Sequence, residues 1–138
     1  MCGAVTFTAR NLRSDYGACH CKMCQRWAGS SLVAITVPAA DIEWVGLDKV
    51  SKIQSSAWAE RAWCSKCGSG LWYRMTALGD DKDDYEVPLG IFDDASGLEL
   101  AREIFIDRKP DSFDFAGEHE RLTEAETLAR FGITVDGA

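Results

Sequence analysis

Apolar and polar positions alternate over short stretches along most of this chain, the period of a half-buried strand. Residues 5–8 alternate and read as a first short strand. Residues 11–15 are a polar turn, and 16–18 read as a strand end. Residues 31–37 are rich in β-branched side chains and stop at Pro38, as a strand does. Further short strands are expected at 42–45, 50–54, 56–63, 71–74, 85–87 and 98–105, with an acidic turn at 79–84 and a loop at Pro110-Asp111. Helical signals are confined to two places. Residues 24–28 leave room for one turn before Gly29. Residues 122–131 form the one full helix, with Thr123 to cap it, Glu126 three residues on and Gly132 to end it. The pattern predicts a mainly β domain of short strands with a short C-terminal helix, spanning residues 1–138 as one unit.

Composition adds a core and removes some partners. Five tryptophans and 46% hydrophobic residues in 138 are ample for one packed domain. No apolar run reaches bilayer-spanning length, and the first residues lack a signal peptide's charged and apolar regions. The expectation is a cytoplasmic protein with no membrane partner. A net charge of −7 argues against nucleic acid, whose phosphates need a basic face. Asp80, Asp81, Asp83 and Asp84 resemble a calcium loop in charge only. They lack its glycine and distal glutamate, so a solvated turn is expected.

Six cysteines carry the chemistry. They fall as Cys2, as Cys19-His20-Cys21-Lys22-Met23-Cys24, and as Cys64-Ser65-Lys66-Cys67. In a reducing compartment such knuckles bind zinc rather than form disulfides, and a Cys-x-Cys pair bonded to itself would be strained. The sulfurs can divide as four plus two, for example Cys21, Cys24, Cys64 and Cys67 in one closed site. They can also divide as three plus three: Cys19, Cys21 and Cys24 on one ion, Cys2, Cys64 and Cys67 on another. The spacing leans toward the second, which leaves an open coordination position of the kind catalytic zinc uses. His20 lies between two ligands and reads as a hydrogen-bonding neighbour that tunes the thiolates. His119 reads as a solvated residue of the tail. Lys22 and Arg26 are surface cations beside the first knuckle and could attract an anionic substrate; Trp27 could line its pocket.

The segments Cys2-Gly3-Ala4-Val5, Cys19-His20-Cys21-Lys22-Met23-Cys24-Gln25-Arg26-Trp27 and Cys64-Ser65-Lys66-Cys67-Gly68-Ser69 resemble the glutathione-dependent formaldehyde-activating (Gfa-like) family. The resemblance extends through Ser55-Ser56, Arg61-Ala62-Trp63 and the stretch from Ile104 to Pro110. It implies a β-tent of short antiparallel strands stapled by two zinc ions. The family's catalytic zinc maps onto Cys19, Cys21 and Cys24, and its structural zinc onto Cys2, Cys64 and Cys67. The family's structural site also draws on a cysteine two positions before Cys2. That position precedes Met1: either the natural chain begins earlier, or the set has three sulfurs and water or a neighbouring group fills the fourth position. Gly90-Ile91-Phe92-Asp93 departs from a Gly-Thr-Leu-Asp-like sequence common in relatives, and Ser112 stands where an aromatic residue is usual. Both departures point to a divergent substrate.

The activity the resemblance implies is that of a carbon–sulfur lyase acting on a small thiol or its aldehyde adduct. In the family's nominal reaction glutathione and formaldehyde give S-hydroxymethylglutathione. Two rivals come from other classes: a zinc-stabilised binding domain without catalysis, and a thiol redox enzyme related to methionine sulfoxide reductase B. The redox reading requires a cysteine outside the zinc sites.

Overall fold

The computed structural model describes residues 1–77 and 84–133. The expected acidic turn at 79–84 and its aspartates up to Asp83 lie outside the described residues. The chain divides into two compact units. The first comprises Met1–Ser14 and Ala34–Gly97; the second comprises Asp15–Val33 and the chain from Leu98 on.

In the first unit β1 (Thr6–Ala9) pairs antiparallel with β4 (Ile42–Val45). Gly46 follows β4 at φ 90°, and a Cβ there would lie 2.1 Å from the Ala4 carbonyl oxygen, so only glycine closes this ribbon. β3 (Leu32–Pro38) lies against β8 (Asp84–Pro88). β8 pairs with β7 (Gly70–Met75), β7 with β6 (Ala59–Cys64), and β6 with β5 (Val50–Gln54), all antiparallel. Ala62, Cys64, Leu71 and Trp72 are the buried centre, packed by Val5, Trp44, Val50, Tyr85 and Ile91. Trp44, Trp72 and Tyr85 meet with centroids 4.8–5.8 Å apart. Each such aromatic pair adds about 1 kcal/mol beyond its buried area. Trp72 keeps its indole N–H satisfied by donating to Glu60 at 3.0 Å.

The second unit holds β2 (Asp15–Cys19), β9 (Glu99–Ile104), β10 (Glu120–Leu122) and both α-helices. Here the pairing differs from expectation: β2 and β10 both run parallel to β9. Alternation along a strand says nothing about the direction of its neighbour, so the antiparallel reading could not anticipate this. α1 (Lys22–Ala28) starts two residues earlier than expected and ends at Gly29. α2 (Glu124–Phe131) has the full capping box: Thr123 accepts from the Glu126 amide, and Glu126 accepts from Thr123. Such a cap is worth about 1 kcal/mol. The helix begins after Leu122, because 120–122 is strand. Likewise β6 begins at Ala59 rather than Ser56, whose hydroxyl accepts from the Trp58 amide in a turn.

Candidate metal centres

The second unit brings Cys19, Cys21 and Cys24 together. Cys19 ends β2, and Cys21 caps α1, its sulfur accepting from the Cys24 amide at 3.3 Å. One helical turn then carries the buried Cys24 back beside them. The first unit brings Cys2 to Cys64 and Cys67. Cys64 ends β6, and a tight turn follows in which Gly68, at φ 80°, donates its amide to the Cys64 carbonyl at 2.8 Å. In each cluster all three sulfurs lie within 4.8 Å of one another. The sulfurs therefore divide three and three. All six cysteines fall in these clusters, leaving no thiol outside them for a redox centre.

Both clusters suit a tetrahedral thiophilic ion. Zinc–sulfur bonds of about 2.3 Å put neighbouring sulfurs about 3.8 Å apart, and Cys2 and Cys64 already stand at 3.8 Å. The thiol electrostatics agree. Hydrogen bonding with Cys21, then with Cys24, together with burial, pushes Cys19 well above its usual pKa. At Cys2 the Ala4 amide favours the thiolate, but hydrogen bonding with Cys67, burial and Cys64 outweigh it and raise the thiol. Cys67 goes the other way, to about 5, because the Ser69 side chain and amide and the Cys2 amide stabilise its thiolate. Three crowded sulfurs cannot all ionise without a cation between them, and a divalent metal supplies it.

Lys22 and Arg26 lie four residues apart on α1, on one exposed face, and neither is ion-paired among the described residues. Trp27 is half-buried beside them in sequence. A cavity of about 410 Å³ lies in the first unit instead, walled by Phe7, Leu71, Ile91 and Phe92 and reaching Cys2, Cys64 and Cys67. The Ile91 departure noted in the sequence thus lines this cavity.

One histidine departs from its sequence reading, and the other shows the partner that its position requires. His119 is no solvated tail residue: its side chain is 2% exposed and donates to Glu103 Oε2 at 2.5 Å. His20 is fully buried, and its Nε2 donates to Glu103 Oε1 at 2.7 Å. Glu103 is itself 1% exposed, and Arg121 reaches Oε2 at 3.2 Å. Burial pushes the Glu103 carboxyl up, but hydrogen bonds from His119 and His20 outweigh it and hold the group below its usual pKa. Glu103 was invisible as a site residue because a charged residue on an alternating strand reads as solvent-facing. The one available signal was His20, a polar ring between two clustered cysteines that needs a buried partner.

Residues 1–108 match the model of the family described as glutathione-dependent formaldehyde-activating enzyme. The chain belongs to that family. An uncharacterized lyase of Schizosaccharomyces pombe is 28% identical over 131 residues, covering 93% of this chain and 90% of the relative. The crystal structure of a Rhodobacter sphaeroides protein matches with a TM-score of 0.55 at 23% identity, covering 72% of this chain and 94% of that one. That likeness speaks for the fold alone. Among the described residues, no helix of this Gfa-family chain is long and apolar enough to cross a membrane.

Proposed function

We propose that the protein is a zinc-dependent carbon–sulfur lyase of the glutathione-dependent formaldehyde-activating type, with Cys19, Cys21 and Cys24 as the protein ligands of its catalytic metal. The observation that carries the reading is the convergence of these three sulfurs from a single turn, within a chain of this family. Three ligands leave a tetrahedral ion one position for a substrate thiol. A zinc ion there would lower the thiol's pKa and polarise an aldehyde carbonyl.

The chain's own residues have separate tasks. Cys2, Cys64 and Cys67 hold a second, structural zinc that ties the N-terminal segment to β6. Lys22 and Arg26 attract the carboxylates of an anionic thiol such as glutathione, offsetting the overall charge of −7. Trp27 borders the same face. In the overall reaction a thiol S–H and an aldehyde C=O become a C–S bond and a hydroxyl, with the thiol proton ending on the carbonyl oxygen. The match over residues 1–108 supports reading 1–138 as one Gfa-like domain, and six cysteines in metal-suited clusters suit the reducing cytoplasm.

The test is cobalt substitution followed by titration with glutathione and with an uncharged thiol of similar size. A thiol that enters the open position changes the thiolate-to-metal absorption. With formaldehyde added, exchange measured by NMR should show faster adduct formation than in buffer. No spectral response to either thiol removes the lyase reading and leaves a zinc-stabilised binding domain. A response to the uncharged thiol alone keeps the chemistry and removes glutathione.

A further inference from the structure

We propose that Glu103 is a positioning residue for the Cys19, Cys21 and Cys24 cluster, acting through His20 to hold the sulfurs converged before any metal arrives. The proposal rests on the reading above that these sulfurs ligate the metal. His20 is the single residue between two of them. All of its principal polar handles but one are fixed. Its amide donates to the Ile104 carbonyl at 3.0 Å. Its carbonyl accepts from Gln25 Nε2 on α1 at 2.6 Å, and the same Gln25 nitrogen also donates to the Arg108 carbonyl at 3.0 Å. Its ring donates to Glu103, and Phe113 and Phe115 pack near it, each with its centroid 6.0 Å away. Of its own polar atoms, only Nδ1 is buried without a partner among the described residues.

Glu103 can hold the ring firmly because it is itself held. It sits opposite Ala18 in the β2–β9 register, one place before the Cys19–Ile104 pair. One carboxylate oxygen takes His20, and the other takes His119 and Arg121. A carboxylate only accepts hydrogen bonds, so Nε2 is the protonated nitrogen of both rings. The His20 backbone therefore has little freedom, and neither do the adjoining Cys19 and Cys21. Buried charge-assisted contacts of this kind resist movement more than neutral ones. A side chain that fixes a ligand's orientation without touching the metal typically changes metal affinity 10–100-fold, roughly, when it is lost.

The experiment measures metal affinity rather than turnover. Glu103→Gln keeps the shape but replaces one accepting oxygen by an amide N–H, which then faces either His20 or the His119 and Arg121 pair. The zinc of the three-cysteine turn, measured by chelator competition, should bind about 10–100-fold more weakly, with altered cobalt d–d bands and with far-UV circular dichroism retained. Thr127→Val is the control: it removes a buried hydroxyl bonded to the Thr123 carbonyl at 2.7 Å in the same unit. It should lower stability but leave metal affinity unchanged. Equal losses of affinity in the two variants would reduce Glu103 to a structural residue. Should Glu103→Gln not fold, the unaltered protein decides. The His20 Nε2 proton, followed by nitrogen-detected histidine NMR, should be equally protected with zinc bound and after chelation. Protection only with zinc bound would mean that the metal orders the turn, and the proposal falls. If the unaltered protein binds no metal at this turn, the functional reading fails first.

Discussion

Cys19, Cys21 and Cys24 come from one short segment, whereas Cys2 and Cys64 stand 62 residues apart in the chain. The first cluster is assembled by a strand end and a helix start, so local backbone geometry does the work. The second exists only when the N-terminal segment returns to the end of β6. A metal in a cluster of this second kind closes a long loop, and its binding energy counts toward folding. A metal in the first kind crosses almost no chain and adds little to the fold. The surroundings differ in the same sense. The local cluster neighbours a buried Glu103 with two histidines, while the long-range cluster opens on a cavity walled by Phe7, Leu71, Ile91 and Phe92.

The comparison breaks most visibly by removing one ligand from each cluster. Cys64→Ser should unfold the protein or lower Tm by more than about 10 °C, since each kcal/mol lost is worth roughly 3–5 °C in a chain of this size. Cys24→Ser should lose one metal and keep its Tm within about 5 °C, on the same scale. Equal shifts in differential scanning calorimetry would show that both clusters staple the fold.

Mild chelation sharpens the contrast in the unmodified protein. About one equivalent of zinc should leave first, from the local Cys19, Cys21 and Cys24 turn, because a metal there closes no long loop and its loss is not tied to unfolding, with circular dichroism unchanged. Loss of both metals in one cooperative unfolding step would count against two distinct sites.

Acid gives a smaller and graded effect. Hydrogen bonds from His119 and His20 hold Glu103 below its ordinary pKa, so its contribution to stability is complete above the unfolded value. It fades as pH falls through the lower folded value. Unfolding free energy of the native protein should therefore decline on acidification below about pH 4.5, and the decline should be shallower in Glu103→Gln. Matching pH profiles would remove Glu103 as a contributor.

The smallest expected effect is electrostatic steering. The Lys22→Ala, Arg26→Ala double variant should weaken glutathione binding several-fold at low salt and hardly at all at high salt. Exposed charges are screened over about 8 Å at physiological ionic strength. Equal binding by both proteins at low salt would assign no role to the pair.

How much of this was legible beforehand follows from range along the chain. The Cys-x-Cys-x-x-Cys run, the capping box of α2 and most short strands are set by neighbours within a few residues, and spacing and alternation report these directly. The family motifs likewise stand in the sequence as written. The return of Cys2 to Cys64 is long-range, and only the family motifs foretold it. The direction of β2 and β10 against β9 and the place of Ile91 on a cavity wall depend on contacts between distant segments, which no local pattern encodes. His119 and Glu103 make the same point most sharply. Each reads as a solvent-facing polar residue by itself, and burial is tolerable only because tertiary structure supplies each with the other and both with His20. A buried charge is affordable only when its partners arrive with it, and that pairing is decided in three dimensions.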